Sequence, residues 1–189
     1  KRIAKKIKNI TPIENVISKK VSDQYNENPY PRWVSTSAYS EKTKTYQEII
    51  HNALFPSGIK NIENFGKLKI LIAGCGTGRH PISIARVDEK NEIDAIDLSL
   101  SSLSYGKRMA KKIGVKNVNW WVGDILKLDD IEKEYDIIEA AGVLHHMEDP
   151  YKGFLNLERL LKPKGLIKLG LYSRAFRKGR LEKMKKIIK

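Results

Sequence analysis

From Lys67 onward the chain alternates short apolar runs with amphipathic stretches, a regularity that the first 66 residues lack. In KLKILIAGCG a continuous apolar run, Leu68 to Ala73, ends in glycine and predicts a strand buried on both faces. A short helix follows near His80 to Arg86, then a second strand in EIDAIDLS, Glu92 to Ser99. SSLSYGKRMAKKIG reads as a helix, capped by a serine among Ser99 to Ser102 and stopped at Gly114. NVNWWVGD (Asn117 to Asp124) is a third strand, and ILKLDDIEKE a loop or short helix. A fourth strand spans Tyr135 to Ala141, and PYKGFLNLERLLKPKG is a helix ended by Pro163 and Gly165. LIKLGLYS (Leu166 to Ser173) is a fifth strand, and RAFRKGRLEKMKKIIK a final helix. Strands alternating with helices give an α/β parallel sheet with right-handed crossovers. Ligands of such sheets sit at the carboxyl ends of the strands, where strand order reverses, so chemistry is sought just after each strand.

The earlier segment is irregular and polar. It holds a helix around Ile3 to Ile10, the aromatic and proline cluster YNENPYPRW (Tyr25 to Trp33), and a helix over about Thr43 to Phe55 stopped by Pro56, Ser57 and Gly58. The expected division is therefore a helical or irregular cap over 1–66 and a ligand-binding domain over 67–189.

Composition changes this picture little. Hydrophobic residues make up 41% of 189, enough for a sizeable core, and the formal net charge is +14. The basic excess is concentrated at the ends, in Lys1, Arg2, Lys5, Lys6 and Lys8 and again from Arg174 to Lys189. A solvated lysine-rich surface and a polyanion-binding surface explain it equally, so nucleic acid is a partner class that charge admits without favouring. The single cysteine, Cys75, permits no internal disulfide and fits a reducing, cytoplasmic compartment. No apolar run reaches the roughly 20 residues of a membrane span, so no membrane is expected as a partner. The basic start KRIAKKIKNI has no apolar stretch of the secretory kind and no initiator Met, which suggests a piece of a longer protein.

The chemistry is concentrated in the loop Gly74-Cys75-Gly76-Thr77-Gly78 after the first strand. Glycines allow a sharp turn and a close approach of ligand to backbone, and the loop feeds a helix N-terminus that favours a negative group. A nicotinamide dinucleotide site needs a small residue at the sixth position, where Arg79 stands, and no Gly-Lys-Ser/Thr follows for a Walker loop. What remains, G-x-G-x-G, resembles motif I of class I methyltransferases, usually close to LDxGCGTG. That resemblance implies a three-layer Rossmann-like fold, S-adenosylmethionine as cofactor, and a loop of Ala73, Gly74, Cys75, Gly76 and Gly78 lying against its methionine portion. The acidic residue of the usual motif is replaced here by Ile72, next to Ala73, which removes one contact to the cofactor's amino group.

Asp97 follows the second strand, nineteen residues after Gly78, where a carboxylate can accept from both ribose hydroxyls; Leu98 adjoins it. Asp94, inside the strand pattern, reads better as an exposed edge charge. Gly123-Asp124-Ile125 ends the third strand and resembles the place where the family's carboxylate accepts from the adenine amino group and an apolar neighbour packs on the base; the competing reading of Asp124 is a helix N-cap. Two carboxylates in a partly dry pocket also favour a sulfonium.

After the fourth strand, Ala140-Ala141-Gly142 offers small residues where donor and acceptor approach, and Gly142 to His146 with Asp149-Pro150 resembles the GVLHH-x-x-DP stretch of small-molecule class I methyltransferases. His145 and His146 are the candidate bases, needed only if the acceptor must lose a proton; adjacent histidines point apart, so at least one is expected to be structural. No third ligand at suitable spacing supports a metal site. The motif of amino-nitrogen methyltransferases is absent after this strand, and Asn28-Pro29-Tyr30-Pro31 lacks its Pro-Pro pair. Tyr25, Tyr30 and Trp33 read as an anchor on the sheet ahead of a lid over the cofactor. NPYPRW with GLYS (Gly170 to Ser173) resembles methyltransferase domains joined to tetratricopeptide repeats in bacterial proteins, which implies such a region in a longer parent; these 189 residues contain no such repeat. The family fold has seven strands, and strands six and seven are expected to be missing here. The implied activity is methyl transfer to an unidentified small-molecule or peptide acceptor. An RNA methyltransferase, which requires basic residues at the pocket mouth, and a non-catalytic cofactor-binding domain are the alternatives.

Overall fold

The computed structural model describes residues 3–35, 45–54 and 66–172. The expected final helix from Arg174, Ser173, and the ends of the helix over Thr43 to Phe55 lie outside the described residues. Six parallel strands, β1 (Lys8–Asn9), β2 (Lys69–Ala73), β3 (Glu92–Asp97), β4 (Val118–Val122), β5 (Tyr135–Ala141) and β6 (Leu161–Gly170), form one sheet in the order β1-β4-β3-β2-β5-β6. The order reverses between β2 and β5, which puts the crevice for a ligand over the carboxyl ends of these central strands. The helices are α1 (Val16–Glu27), α2 (Tyr46–Leu54), α3 (Arg79–Val87), α4 (Leu100–Lys112) and α5 (Pro150–Arg159).

Strand alternation divides the core into two layers. Ile70 and Ile72 of β2 face one cluster with Ile82 and Ile84 of α3 and Leu103 and Met109 of α4. Leu71 and Ala73 face the other, with Ile138 and Ala140 of β5 and Leu157 of α5. A strand apolar on both faces is thus the central strand of a sheet covered on both sides, as its continuous run predicts. In the first layer α3 and α4 approach closely at Gly78 and Gly106, where the Trp120 ring occupies the space that side chains would need: a Cβ on either residue would lie 2.5 to 2.6 Å from it.

Three expectations are corrected. Ile3 to Ile10 forms no helix beyond a 3-10 turn at Ala4–Lys6; Lys8 and Asn9 instead pair with Trp121 and Val122, and the Ile10 N–H donates to Val122 O at 2.8 Å. A helix here would bring Lys5, Lys6 and Lys8 within a turn of one another without an acid, whereas the open edge of β4 offers hydrogen bonds and a buried place for Ile7. The chain also leaves α5 at Arg159, earlier than Pro163 and Gly165 suggested. The segment from Lys162 to Gly165 bulges out of β6 opposite Asp136, Lys164 takes a left-handed φ of 63°, and regular pairing resumes at Ile137 and Leu166.

Asp94 is the third. Instead of an exposed edge charge it is 5% exposed, and it accepts from Trp121 Nε1 (3.0 Å), Lys133 Nζ (2.9 Å) and the Tyr135 hydroxyl (2.7 Å). Burial alone raises its pKa, but these three donors outweigh burial and hold the carboxyl below its ordinary value. Its contribution to stability is therefore complete above the unfolded carboxylate range and is lost as pH falls through the depressed folded value. We expect Asp94→Asn to cost roughly 2 kcal/mol at pH 7 in urea unfolding, and the gap from the unsubstituted chain to narrow below about pH 4.

Candidate active site

Over the carboxyl ends of β2 to β5 lies a cavity of about 300 Å³. Its floor is the turn after β2. Gly74 and Gly76 take left-handed φ values of 71° and 53°, and the N–H groups of Gly74 and Cys75 donate to Ile96 O at 2.8 and 3.0 Å. The thiol of buried Cys75 is pushed well above its ordinary value by burial and then by Asp97, so it stays protonated and unreactive.

Asp97 closes β3. Its Oδ2 accepts from the Gly76 N–H at 2.7 Å and its Oδ1 from the Ser99 N–H at 2.9 Å. These bonds fix the carboxylate and leave each oxygen a further acceptor site, an arrangement suited to two neighbouring hydroxyls. Burial raises its pKa, opposed by the N–H groups of Ser99, Gly76 and Leu98.

Asp124 closes β4 and does both things its position suggests. Oδ1 accepts from the Leu126 N–H at 2.9 Å, capping the 3-10 turn Ile125–Lys127. Oδ2 is buried with no hydrogen-bond partner among the described residues, and the residue lines the cavity beside Ile125. A buried carboxylate oxygen without a donor is costly, and a ligand amino group would relieve it.

Of the residues singled out in the sequence, Gly74, Cys75, Gly76, Asp97, Leu98, Gly123, Asp124, Ile125 and His146 line one cavity. Ala73 and Ala140 do not; they are buried in the core layer on the α5 side. Gly78 faces Trp120, and its left-handed φ of 79° starts α3. His145 packs between the rings of His146 and Tyr172, with both centroids 4.2 Å away.

The sequence reading missed α1, which roofs the cavity with Ile17, Ser18, Val21 and Tyr25. Its N-cap, Asn15, accepts from Ile17 N and Ser18 N, and its buried residues are Ser18 and Ser22, so no apolar stripe marks it. Polar contacts fix it instead. The Ser22 hydroxyl donates to Leu98 O at 3.0 Å, and Asn26 Oδ1 accepts from Ser99 Oγ and Ser101 N, each at 3.1 Å. Glu14 pairs with Lys127 at 2.9 Å, and Asn15 Nδ2 donates to the Glu148 carboxylate. The detectable signal was the cap Asn15 with small polar residues at Ser18, Ser22 and Asn26, a four-residue period.

The aromatic cluster divides its labour. Trp33 is the anchor, 6% exposed, donating from Nε1 to Thr77 O at 3.1 Å and receiving the Tyr105 hydroxyl on its carbonyl. Tyr25, Tyr30 and Pro31 line the cavity, as do Val143, Met147 and Tyr172 on the opposite wall. Among the described residues that line the cavity there is no lysine or arginine. No described helix is long and apolar enough to cross a membrane.

Residues 64–187 match the model of a family described as Methyltransferase domain. The chain is 30% identical over 134 residues to a ubiquinone biosynthesis O-methyltransferase from Rickettsia conorii, covering 70% of this chain and 45% of that protein. It is 32% identical over 133 residues to malonyl-[acyl-carrier protein] O-methyltransferase 2 from Ilyobacter polytropus, covering 68% and 50%. Among solved structures, PKMT2 from Rickettsia typhi in complex with AdoHcy is similar with a TM-score of 0.53 and 27% identity, covering 58% of this chain and 22% of that one. The chain thus spans half or less of the length of these relatives.

Proposed function

Because the chain belongs to the methyltransferase-domain family, we propose that it transfers a methyl group from S-adenosylmethionine to an oxygen of a small-molecule or peptide acceptor. The observation that carries this reading is the convergence of Asp97, held by two backbone N–H groups, and Asp124, with one unpartnered buried oxygen, on a single cavity after a glycine turn. The acceptor groups fit the cofactor. Asp97 would accept from the ribose hydroxyls, Asp124 from the adenine amino group, and Ile125 would pack on the base. Bound there, the cofactor supplies an electrophilic methyl group on a positively charged sulfur. The two carboxylates favour that charge, and α1 with Tyr30 excludes water from it.

Oxygen as acceptor atom is supported by the names of two relatives. A hydroxyl must lose a proton to become a good nucleophile, and His146 is the imidazole on the cavity wall that would take it. His145, tilted against it with the ring centroids 4.2 Å apart, supports the ring. The test is incubation with methyl-labelled S-adenosylmethionine and a panel of phenols and alcohols beside amines. Labelled ethers are expected, and His146→Ala should lower their formation by roughly 100-fold or more while S-adenosylhomocysteine binding is kept. Label transferred only to amines, or a His146→Ala rate equal to that of the unsubstituted chain, would overturn the reading.

A further inference from the structure

Asp124 stands at the end of β4 and Asp97 at the end of β3, so a nucleoside held by both runs along the carboxyl edge of the sheet and carries its tail over β2 and β5. The amino-acid tail of the proposed cofactor is a zwitterion, yet the wall there is made of Gly74, Cys75, Ala141, Gly142 and Val143, none of them charged. One layer below stands Glu139, two residues before Ala141 on the same face of β5 and the ladder partner of Ile72, itself two residues before Gly74. Its side chain is 1% exposed. Oε2 shares a hydrogen bond with His80 Nε2 at 2.8 Å and accepts from Lys168 Nζ at 3.1 Å; Oε1 is buried and has no hydrogen-bond partner among the described residues.

A buried carboxylate with one oxygen unengaged is expensive to keep, and apolar packing at this level of β5 would cost less. Its surroundings show how it is held. His80 stands in the first turn of α3, directly after the glycine turn, and burial with the nearby Lys168 ammonium lowers its pKa to about 4. The imidazole is therefore neutral at pH 7, and its contact with Glu139 is a hydrogen bond that ties β5 to α3, not an ion pair. Burial raises Glu139, and the Lys168 ammonium, itself largely exposed, opposes this.

We propose that Glu139, oriented by His80 and Lys168, is the carboxylate that selects the ammonium-bearing end of the cofactor, standing across the ladder from the apolar Ile72. The proposal rests on the cofactor assignment above, and the test separates the two. S-adenosylhomocysteine carries the amino-acid end; 5′-methylthioadenosine has the same nucleoside and sulfur without it. Calorimetric affinities for both are compared in the unsubstituted chain, in Glu139→Gln and in His80→Asn, with urea midpoints as a check on folding. Glu139→Gln should weaken S-adenosylhomocysteine roughly tenfold or more and leave methylthioadenosine within about twofold, a change in ratio that mere loosening of the core does not produce. His80→Asn, at a half-exposed position, should shift the ratio in the same direction. A ratio unchanged in Glu139→Gln, or in His80→Asn where the first variant does not fold, overturns the proposal while leaving the cofactor assignment standing. Binding of neither ligand by the unsubstituted chain overturns both.

Discussion

Asp97→Ala is expected to weaken S-adenosylhomocysteine binding by roughly 100-fold or more, the sum of two charge-assisted hydrogen bonds to the ribose. The substitution acts twice. It removes the acceptor for two ligand hydroxyls, and it frees the N–H groups of Gly76 and Ser99 that the carboxylate now holds at 2.7 and 2.9 Å. The glycine turn then loses the contact that orders it before a ligand arrives. Asp124→Ala should cost less, because Oδ1 is already engaged by the turn at Leu126 and Oδ2 alone is left for a ligand. The pH dependence follows from the same geometry. Burial raises Asp97, and hydroxyl donors bind its ionised form, so affinity should fall as pH drops through that raised value; in Asp97→Ala this dependence should vanish. Calorimetry across pH, with circular dichroism to confirm folding, checks both statements.

The largest expected effect on stability is at Gly78. Alanine there pays twice: about 1 kcal/mol or more for a left-handed φ of 79°, and roughly 1–3 kcal/mol for a Cβ placed 2.5 Å from the Trp120 ring and 3.0 Å from Gly106 Cα. Trp120 is 6% exposed, so its ring has nowhere to move without disturbing α3, α4 or β4. We expect Gly78→Ala to lose about 2–4 kcal/mol in urea unfolding. Gly114→Ala is the control, with the same φ of 79° but nothing within 4 Å of the added carbon, and should lose about 1 kcal/mol. Similar losses at both positions would mean that the close approach at Trp120 contributes little.

Gly78 also shows how far a sequence reading reaches. Its place in G-x-G-x-G suggested a ligand contact, whereas its structural duty is to let a tryptophan pack on the helix start. Motif spacing reports that a side chain is intolerable, but it does not say on which side the obstacle lies. The sheet was legible because β2 is apolar on both faces and the central strands run into glycine or aspartate. Those same endings located Asp97 and Asp124. By contrast α1 buries Ser18 and Ser22 and is fixed by Asn26 and Asn15, so hydrophobic periodicity missed the roof of the cavity. The terminal strand β1 was missed because two residues gain their conformation from the edge of β4, a long-range cause. Asp94 and Glu139 were unreadable for a related reason. A carboxylate in a strand is ordinary on a solvated face, and only the fold brings Trp121, Lys133 and Tyr135 to the first and His80 with Lys168 to the second.

Whether this cavity is built for an adenosyl sulfur ligand is decided by calorimetric titration of the unsubstituted chain with S-adenosylhomocysteine, S-adenosylmethionine and NADH. Saturable binding of both sulfur ligands with one site per chain is expected, and no binding of NADH, because Arg79 occupies the position where a dinucleotide loop needs a small residue. Binding of NADH in preference to either sulfur ligand by the folded chain would contradict this expectation.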